Sequence, residues 1–111
     1  MKLTAVFTAF AVLSSASYGV QAKGNIEAGK AKAAQVCAAC HGPDGNKPTG
    51  PDFPLLGGQH PDYLKKTLVD YKSGKRNNPI MKGFAATLSN QEMEDLAAWF
   101  ASQPSKLSTH R

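Results

Sequence analysis

Both cysteines of the chain fall within ten residues, Val36-Cys37-Ala38-Ala39-Cys40-His41-Gly42-Pro43-Asp44-Gly45, and a histidine directly follows the second thiol. Nothing else in the sequence narrows the fold as far, because two thiols at this spacing admit few uses. A disulfide between them would close so short a loop that it would remove little chain entropy. The remaining uses are a redox-active dithiol, part of a zinc site, or thioether attachment of haem at Cys37 and Cys40, which carries the adjacent His41 imidazole to the iron.

The surroundings separate these uses. A thioredoxin-type pair opens a helix after a strand, whereas this pair closes a helical stretch in a chain without credible strands. Zinc takes four ligands, and Cys37, Cys40 and His41 supply three that are crowded along the chain; His60 and His110 stand outside any ligand-pair spacing. The N-terminus bears on the choice too. Lys2 precedes the uncharged, mostly apolar run Leu3 to Leu13, and Ser14 to Ala22 is small and polar, the layout of a secretory signal with cleavage expected after Ala22. The apolar run is about half of the ~20 residues that span a bilayer, so an uncleaved anchor is the lesser alternative. Export is expected to the periplasm, the kind of compartment in which such attachment takes place. The domain reading is therefore a signal peptide over 1–22 and one haem-bearing domain over 23–111.

Cleavage would leave 89 residues with twelve basic and eight acidic side chains, a formal charge of +4. A chain this short buries a marginal apolar core and leans on a staple or cofactor. Three helices are expected. The first is capped by Asn25 and carries Ile26, Gly29, Ala33, Val36 and Cys37 on one stripe, where Gly29 implies a close helix–helix approach. The second starts at Pro61, turns Tyr63, Leu64, Thr67, Leu68 and Tyr71 inward, and ends at Gly74. The third begins with the capping box Ser89-Asn90-Gln91-Glu92, flanked by the apolar pair Leu88 and Met93, and runs to Pro104. Residues 42–59 hold five glycines and four prolines and read as loop; residues 105–111 read as a frayed tail.

An iron held by His41 has a second axial position. Met81, Met93, His60 and His110 are the candidates. Met93 has a place in the core of the last helix, His110 lies in the tail, and His60 reads as a capping residue. Met81 lies in Asn77-Asn78-Pro79-Ile80-Met81-Lys82-Gly83-Phe84, expected to be an irregular segment after a rigid proline. That segment can reach the far face of a haem, and Met81 is the expected axial ligand.

Across residues 24–103 the chain resembles the class I bacterial cytochromes c, above all the monohaem c-553-like proteins and the single-haem halves of cytochrome c4. The resemblance rests on CAACHGPDGN, TGPDFPLLGGQHPDYL, YKSGKRNNPIMKGFAATLS and DLAAWFASQ. Lys82 and Phe84 depart from it, since smaller residues are frequent after the methionine. It implies an all-α class I cytochrome c fold around one haem c, with the first and last helices crossing so that Gly29 lies under Leu96 and an aromatic residue. It also implies that the Pro51 carbonyl accepts from His41 Nδ1, and that Tyr71 or Asn78 reaches the Met81 sulfur or a propionate.

Two axial protein ligands suit outer-sphere electron transfer and leave no coordination position for a substrate. The function implied is that of a soluble, monomeric periplasmic one-electron carrier of a respiratory chain, not an enzyme. Lys65, Lys66, Lys72, Lys75, Arg76 and Lys82 would form a positive rim for acidic redox partners. Nucleic acid is not an expected partner of an exported domain of modest charge. The rival readings are a haem with a labile sixth ligand, acting as a sensor or peroxidase-like enzyme, and a cytochrome subunit of a larger oxidoreductase.

Overall fold

The computed structural model describes residues 24–107 together with residues 2, 4 and 5. The expected cleavage point after Ala22 and the last tail residues, His110 included, lie outside the described residues. Five helices follow in order: α1 (Ile26–Val36), α2 (Ala38–His41), α3 (Pro61–Ser73), α4 (Pro79–Ala86) and α5 (Asn90–Ala101), with no strand among the described residues. The three expected helices are α1, α3 and α5. The single turn α2 continues α1 after a break at Cys37, and α4 occupies the segment expected to be irregular.

Local chemistry accounts for the ends of these helices. Asn25 Oδ1 accepts from the Ala28 amide at 2.9 Å and starts α1. Pro61 occupies the first turn of α3, and Gly74, at φ 83°, closes it in the left-handed conformation that glycine adopts freely. Ser89 Oγ accepts from the Glu92 amide at 3.1 Å while Glu92 Oε1 accepts from the Ser89 amide at 2.9 Å, a complete capping box. The same logic makes α4 a helix. Asn78 Oδ1 accepts from the amides of Ile80 and Met81, each at 3.1 Å, and Pro79 stands at the first helical turn, where its missing N–H costs nothing.

The apolar core lies where α1 and α3 pack on α5, with Ala33, Leu64, Leu88, Met93, Leu96, Ala97 and Phe100 all buried. At Gly29 a Cβ would run into the Asp95 carbonyl oxygen and come within 2.8 Å of Trp99 Cβ. The close approach foreseen at Gly29 is therefore made against Asp95 and the aromatic Trp99, one residue from the expected Leu96. The buried Asp95 carboxylate accepts from the Asn25 amide at 2.8 Å and Gln91 Nε2 at 2.9 Å, so the N-terminus of α1 is tied to the middle of α5. Ile26, expected on the buried stripe, is instead exposed.

The loop between α2 and α3 lacks regular structure but is tied down throughout. Thr49 N–H donates to the Cys40 carbonyl at 3.0 Å, Leu56 N–H to Gly45 at 2.8 Å, and Gly58 N–H to Phe100 at 2.8 Å. The buried Asn46 donates from Nδ2 to the Pro104 carbonyl at 2.7 Å. The chain after α5 is thus held to the loop at Pro104, and Leu107, within the tail expected from 105, lies at the cavity described below; residues 108–111 lie outside the described residues.

Candidate cofactor-binding cavity

A cavity of about 1180 Å³ opens beside this core. It exceeds the roughly 300–1,000 Å³ common for small-molecule sites. One wall carries Cys37, Cys40 and His41 at the junction of α1 and α2; the loop adds Phe53, Pro54 and Leu56; α3 adds Tyr63, Leu64, Leu68 and Tyr71; α4 adds Met81 and Phe84; Leu96, Ala97 and Phe100 of α5 form the back. Because α2 packs on α1 while α4 packs on α3, His41 and Met81 reach the cavity from different pairs of helices.

His41 is buried, and its Nδ1 lies 3.0 Å from the Pro54 carbonyl. A carbonyl only accepts, so Nδ1 carries the proton, and Nε2 is the ring nitrogen left to serve as a ligand. The expected acceptor was Pro51. The difference has a local cause: Pro51 takes the second position of a turn closed by Phe53 N–H on the Gly50 carbonyl at 3.2 Å, and the chain passes His41 three residues later. Phe53 also stands against the imidazole, its ring centroid 6.1 Å away.

No disulfide joins Cys37 and Cys40. Burial pushes the Cys37 thiol up to about 11, the nearby Cys40 adds to this, and Lys32 opposes it. A dithiol oxidoreductase depends on the opposite shift, a thiol lowered into the neutral range. Among the described residues no group of three or more His, Cys, Asp or Glu side chains is placed to hold a bare metal ion.

Met81 lines the cavity from the first turn of α4. Met93 is buried in the core and His60 is exposed at the start of α3; neither lines the cavity. Asn78 and Tyr71 both line it, but Asn78 Oδ1 is committed to capping α4, and the Tyr71 ring lies 5.1 Å under the Arg76 guanidinium. Sequence reading missed Pro54, Phe53 and Leu107, the last an apolar residue of the supposed tail that closes part of the cavity. Only the isolated leucine in a polar tail signalled it. The donor set suits an iron porphyrin: two thiols on one wall, an oriented imidazole beside them, a thioether from another helix pair, and apolar side chains between.

The six cations do not form one free rim. Lys65 pairs with Glu94, Lys66 pairs with Asp70, and Lys72 Nζ donates to the Leu88 carbonyl at 2.6 Å. Lys75 and Lys82 make no ion pair among the described residues. Among those residues, too, no helix is long and apolar enough to cross a membrane.

The comparisons agree with this chemistry. A family described as cytochrome c matches residues 26–104. The chain is similar to cytochrome c4 of Pseudomonas aeruginosa, at 54% identity over 82 residues that take in 74% of this chain and 40% of that protein. It is 42% identical over 78 residues to the thiosulfate dehydrogenase electron acceptor of Stutzerimonas stutzeri, covering 70% of this chain and 36% of that one. The crystal structure of reduced recombinant cytochrome c4 from Pseudomonas stutzeri superposes with a TM-score of 0.67 at 46% identity, over 73% of this chain and 46% of that chain. The chain spans about two fifths of the length of these curated relatives.

Proposed function

The chain belongs to the cytochrome c family, whose members carry covalently attached haem c, and on that premise we propose that it is an exported one-electron carrier rather than an enzyme. The observation that carries this reading is the convergence of Cys37, Cys40, His41 and Met81 on one cavity. Cys37 and Cys40 would hold the haem through thioether bonds, and His41 and Met81 would hold its iron. When bound, the haem supplies a one-electron couple whose ferrous form is favoured by methionine ligation.

The chain's own contribution is constancy of position. Pro54 holds the imidazole in one tautomer and orientation, and the Asn78 cap with Pro79 holds the first turn of α4, so Met81 is presented from a fixed backbone. Leu64, Leu68, Leu96 and Phe100 give that space an apolar lining. With His41 and Met81 both holding the iron, no position would be left for a substrate to coordinate, and a site that changes little between oxidation states would transfer electrons without large rearrangement.

Residues 1–22 are read as the export signal and 23–111 as the mature, monomeric periplasmic domain, which a respiratory dehydrogenase or quinol-oxidising complex would reduce. One relative is named as the electron acceptor of a dehydrogenase, in keeping with such a donor. Lys75 and Lys82 are the cations of the rim that remain for steering an acidic partner.

The oxidised protein should show a red-region sulfur-to-iron charge-transfer band, and the reduced protein should bind little carbon monoxide at neutral pH. Met81→Ala should abolish the band and open the site to carbon monoxide. Survival of the band would move the ligand to Met93, and ready carbon monoxide binding by the unaltered protein would favour the sensor or peroxidase class. Intact mass of the periplasmic protein should equal residues 23–111 plus one haem.

A further inference from the structure

A smaller cleft, of about 360 Å³, lies where the turn after His41 meets α1 and α5. Lys30, Pro43, Asp44, Lys47, Trp99 and Gln103 line it, and none of them lines the larger cavity. Trp99, the single tryptophan of the chain, is half-buried, and its Nε1 donates to the Pro43 carbonyl at 3.0 Å. Gln103 Nε2 donates to the Trp99 carbonyl at 3.3 Å. On the other wall the Lys47 amide donates to the His41 carbonyl at 3.3 Å, and the Gly45 amide to the Gly42 carbonyl at 3.2 Å. The indole is therefore fixed against a turn that is itself hydrogen-bonded.

Positive charge and aromatic surface coincide here. Lys30 and Lys47 are exposed and make no ion pair among the described residues, whereas Lys32, Lys65 and Lys66 are each paired with a carboxylate. Lys30 Nζ stands 5.6 Å from the Trp99 ring centroid, a contact that steadies the ammonium and leaves its N–H groups free to donate. Asp44, the acidic side chain of the cleft, spends Oδ1 on the Asn46 amide at 2.9 Å. Two ammonium groups against one partly committed carboxylate leave the cleft positive. Tryptophan is enriched among the residues that anchor protein interfaces, because it offers broad apolar surface with a polar end. A small anion would use the lysines and leave the indole idle. An acidic protein segment uses both, with carboxylates on the lysines and its apolar stems on the ring.

We propose that the Trp99 cleft, with Lys30 and Lys47, docks an acidic segment of a partner protein, at a place separate from Lys75 and Lys82. The cleft is built on the residues that follow His41, so a partner seated there meets the chain at Pro43, two residues from that imidazole. The proposal stands on the fold and its uncommitted charges and does not require the haem reading.

The test follows the reduced, isotope-labelled holoprotein by NMR at low ionic strength, where one tryptophan gives one indole N–H signal. With acetylated, amidated hexaglutamate as the probe, that signal and the Lys30 and Lys47 amides should shift saturably, and added salt should reverse the shift. Lys30→Gln combined with Lys47→Gln should weaken binding about fivefold. Lys75→Gln combined with Lys82→Gln removes the same charge elsewhere and should weaken it less than about twofold. Equal weakening by the two pairs would reduce the effect to net charge and overturn the proposal, as would an indole signal that the peptide leaves in place. Inorganic phosphate is the second probe. If phosphate shifts the indole signal as far as the peptide does, with the same dependence on Lys30 and Lys47, the cleft is a small-anion site and the docking proposal is overturned. Absence of a c-type spectrum would overturn the haem reading and leave the titration in force on the protein as isolated.

Discussion

At the crossing of α1 and α5 the chain packs on itself, whereas α3 and α4 turn their apolar side chains toward the cavity. Gly29 sets its backbone against Asp95, Ala33 is fully buried, and Asp95 ties down the start of α1. On the other side Leu68, Tyr71, Met81 and Phe84 face the cavity, and Ile80 and Phe84 remain 59% and 40% exposed. The first region owes its stability to contacts between small residues and backbone. The second owes it to what the cavity holds. Substitutions in the first should change stability and leave the ligand spectrum alone, and substitutions in the second should change both.

The largest effect is expected from Cys37→Ala with Cys40→Ala, which removes haem attachment. Far-UV circular dichroism should then fall to less than half of the native helical signal, because the apolar side chains that α3 and α4 turn toward the cavity lose what fills it. A colourless protein with native helix content would break the comparison. Next in size is Gly29→Ala. Its Cβ overlaps the Asp95 carbonyl, and overpacking of this kind costs about 2–3 kcal/mol, enough to lower Tm by roughly 10 °C. The charge-transfer band should stay, since the crossing carries no ligand.

Two helix caps sharpen the comparison. Ser89→Ala and Asn78→Ala each remove a side-chain acceptor from a helix start, at a cost of about 1 kcal/mol. Ser89 starts α5 and does not itself line the cavity, so its loss should appear in Tm alone. Asn78 starts α4, and its loss should also weaken the charge-transfer band and raise carbon monoxide binding, because the freed first turn contains Met81. Equal spectra from the two variants would show that α4 is held by something other than its cap.

How much of this was legible beforehand follows from the range of the interactions. Caps at Asn25, Pro61, Gly74 and Ser89 are settled within four residues, and each stands where the sequence placed it. Asn78-Pro79 carries the same local signal, but an eight-residue helix is too short for its periodicity to stand out from a loop in the sequence. Which of the loop prolines meets His41 depends on the turn at Gly50–Phe53, which carries the chain past Pro51 and brings the Pro54 carbonyl to the imidazole. The lysine cluster shows the same limit. Its charges are visible in the sequence, but the pairing of Lys65 with Glu94 requires α3 and α5 to be side by side.

The smallest effect concerns the charge that links α1 to α5. The hydrogen bond from Lys32, helped by the Ser89 amide, holds the Glu92 carboxyl down at about 2. A carboxyl whose pKa is lower in the folded chain stabilises the fold above its unfolded value, about 4.3, and that contribution is lost as pH falls toward 2. Glu92→Gln separates charge from capping, since glutamine also satisfies a capping box. The Tm difference between the unaltered protein and Glu92→Gln should be present at pH 6, shrink between about pH 4.5 and 2, and vanish near pH 2. Because Glu92 is accessible to solvent, added salt should reduce the difference at pH 6 as well. A difference that persisted unchanged to pH 2 would assign the effect to side-chain packing and leave the Lys32–Glu92 pair without a part in stability. The charge-transfer band should not move in any of these conditions above the acid transition, because this pair lies on the side of the molecule that the cofactor does not hold.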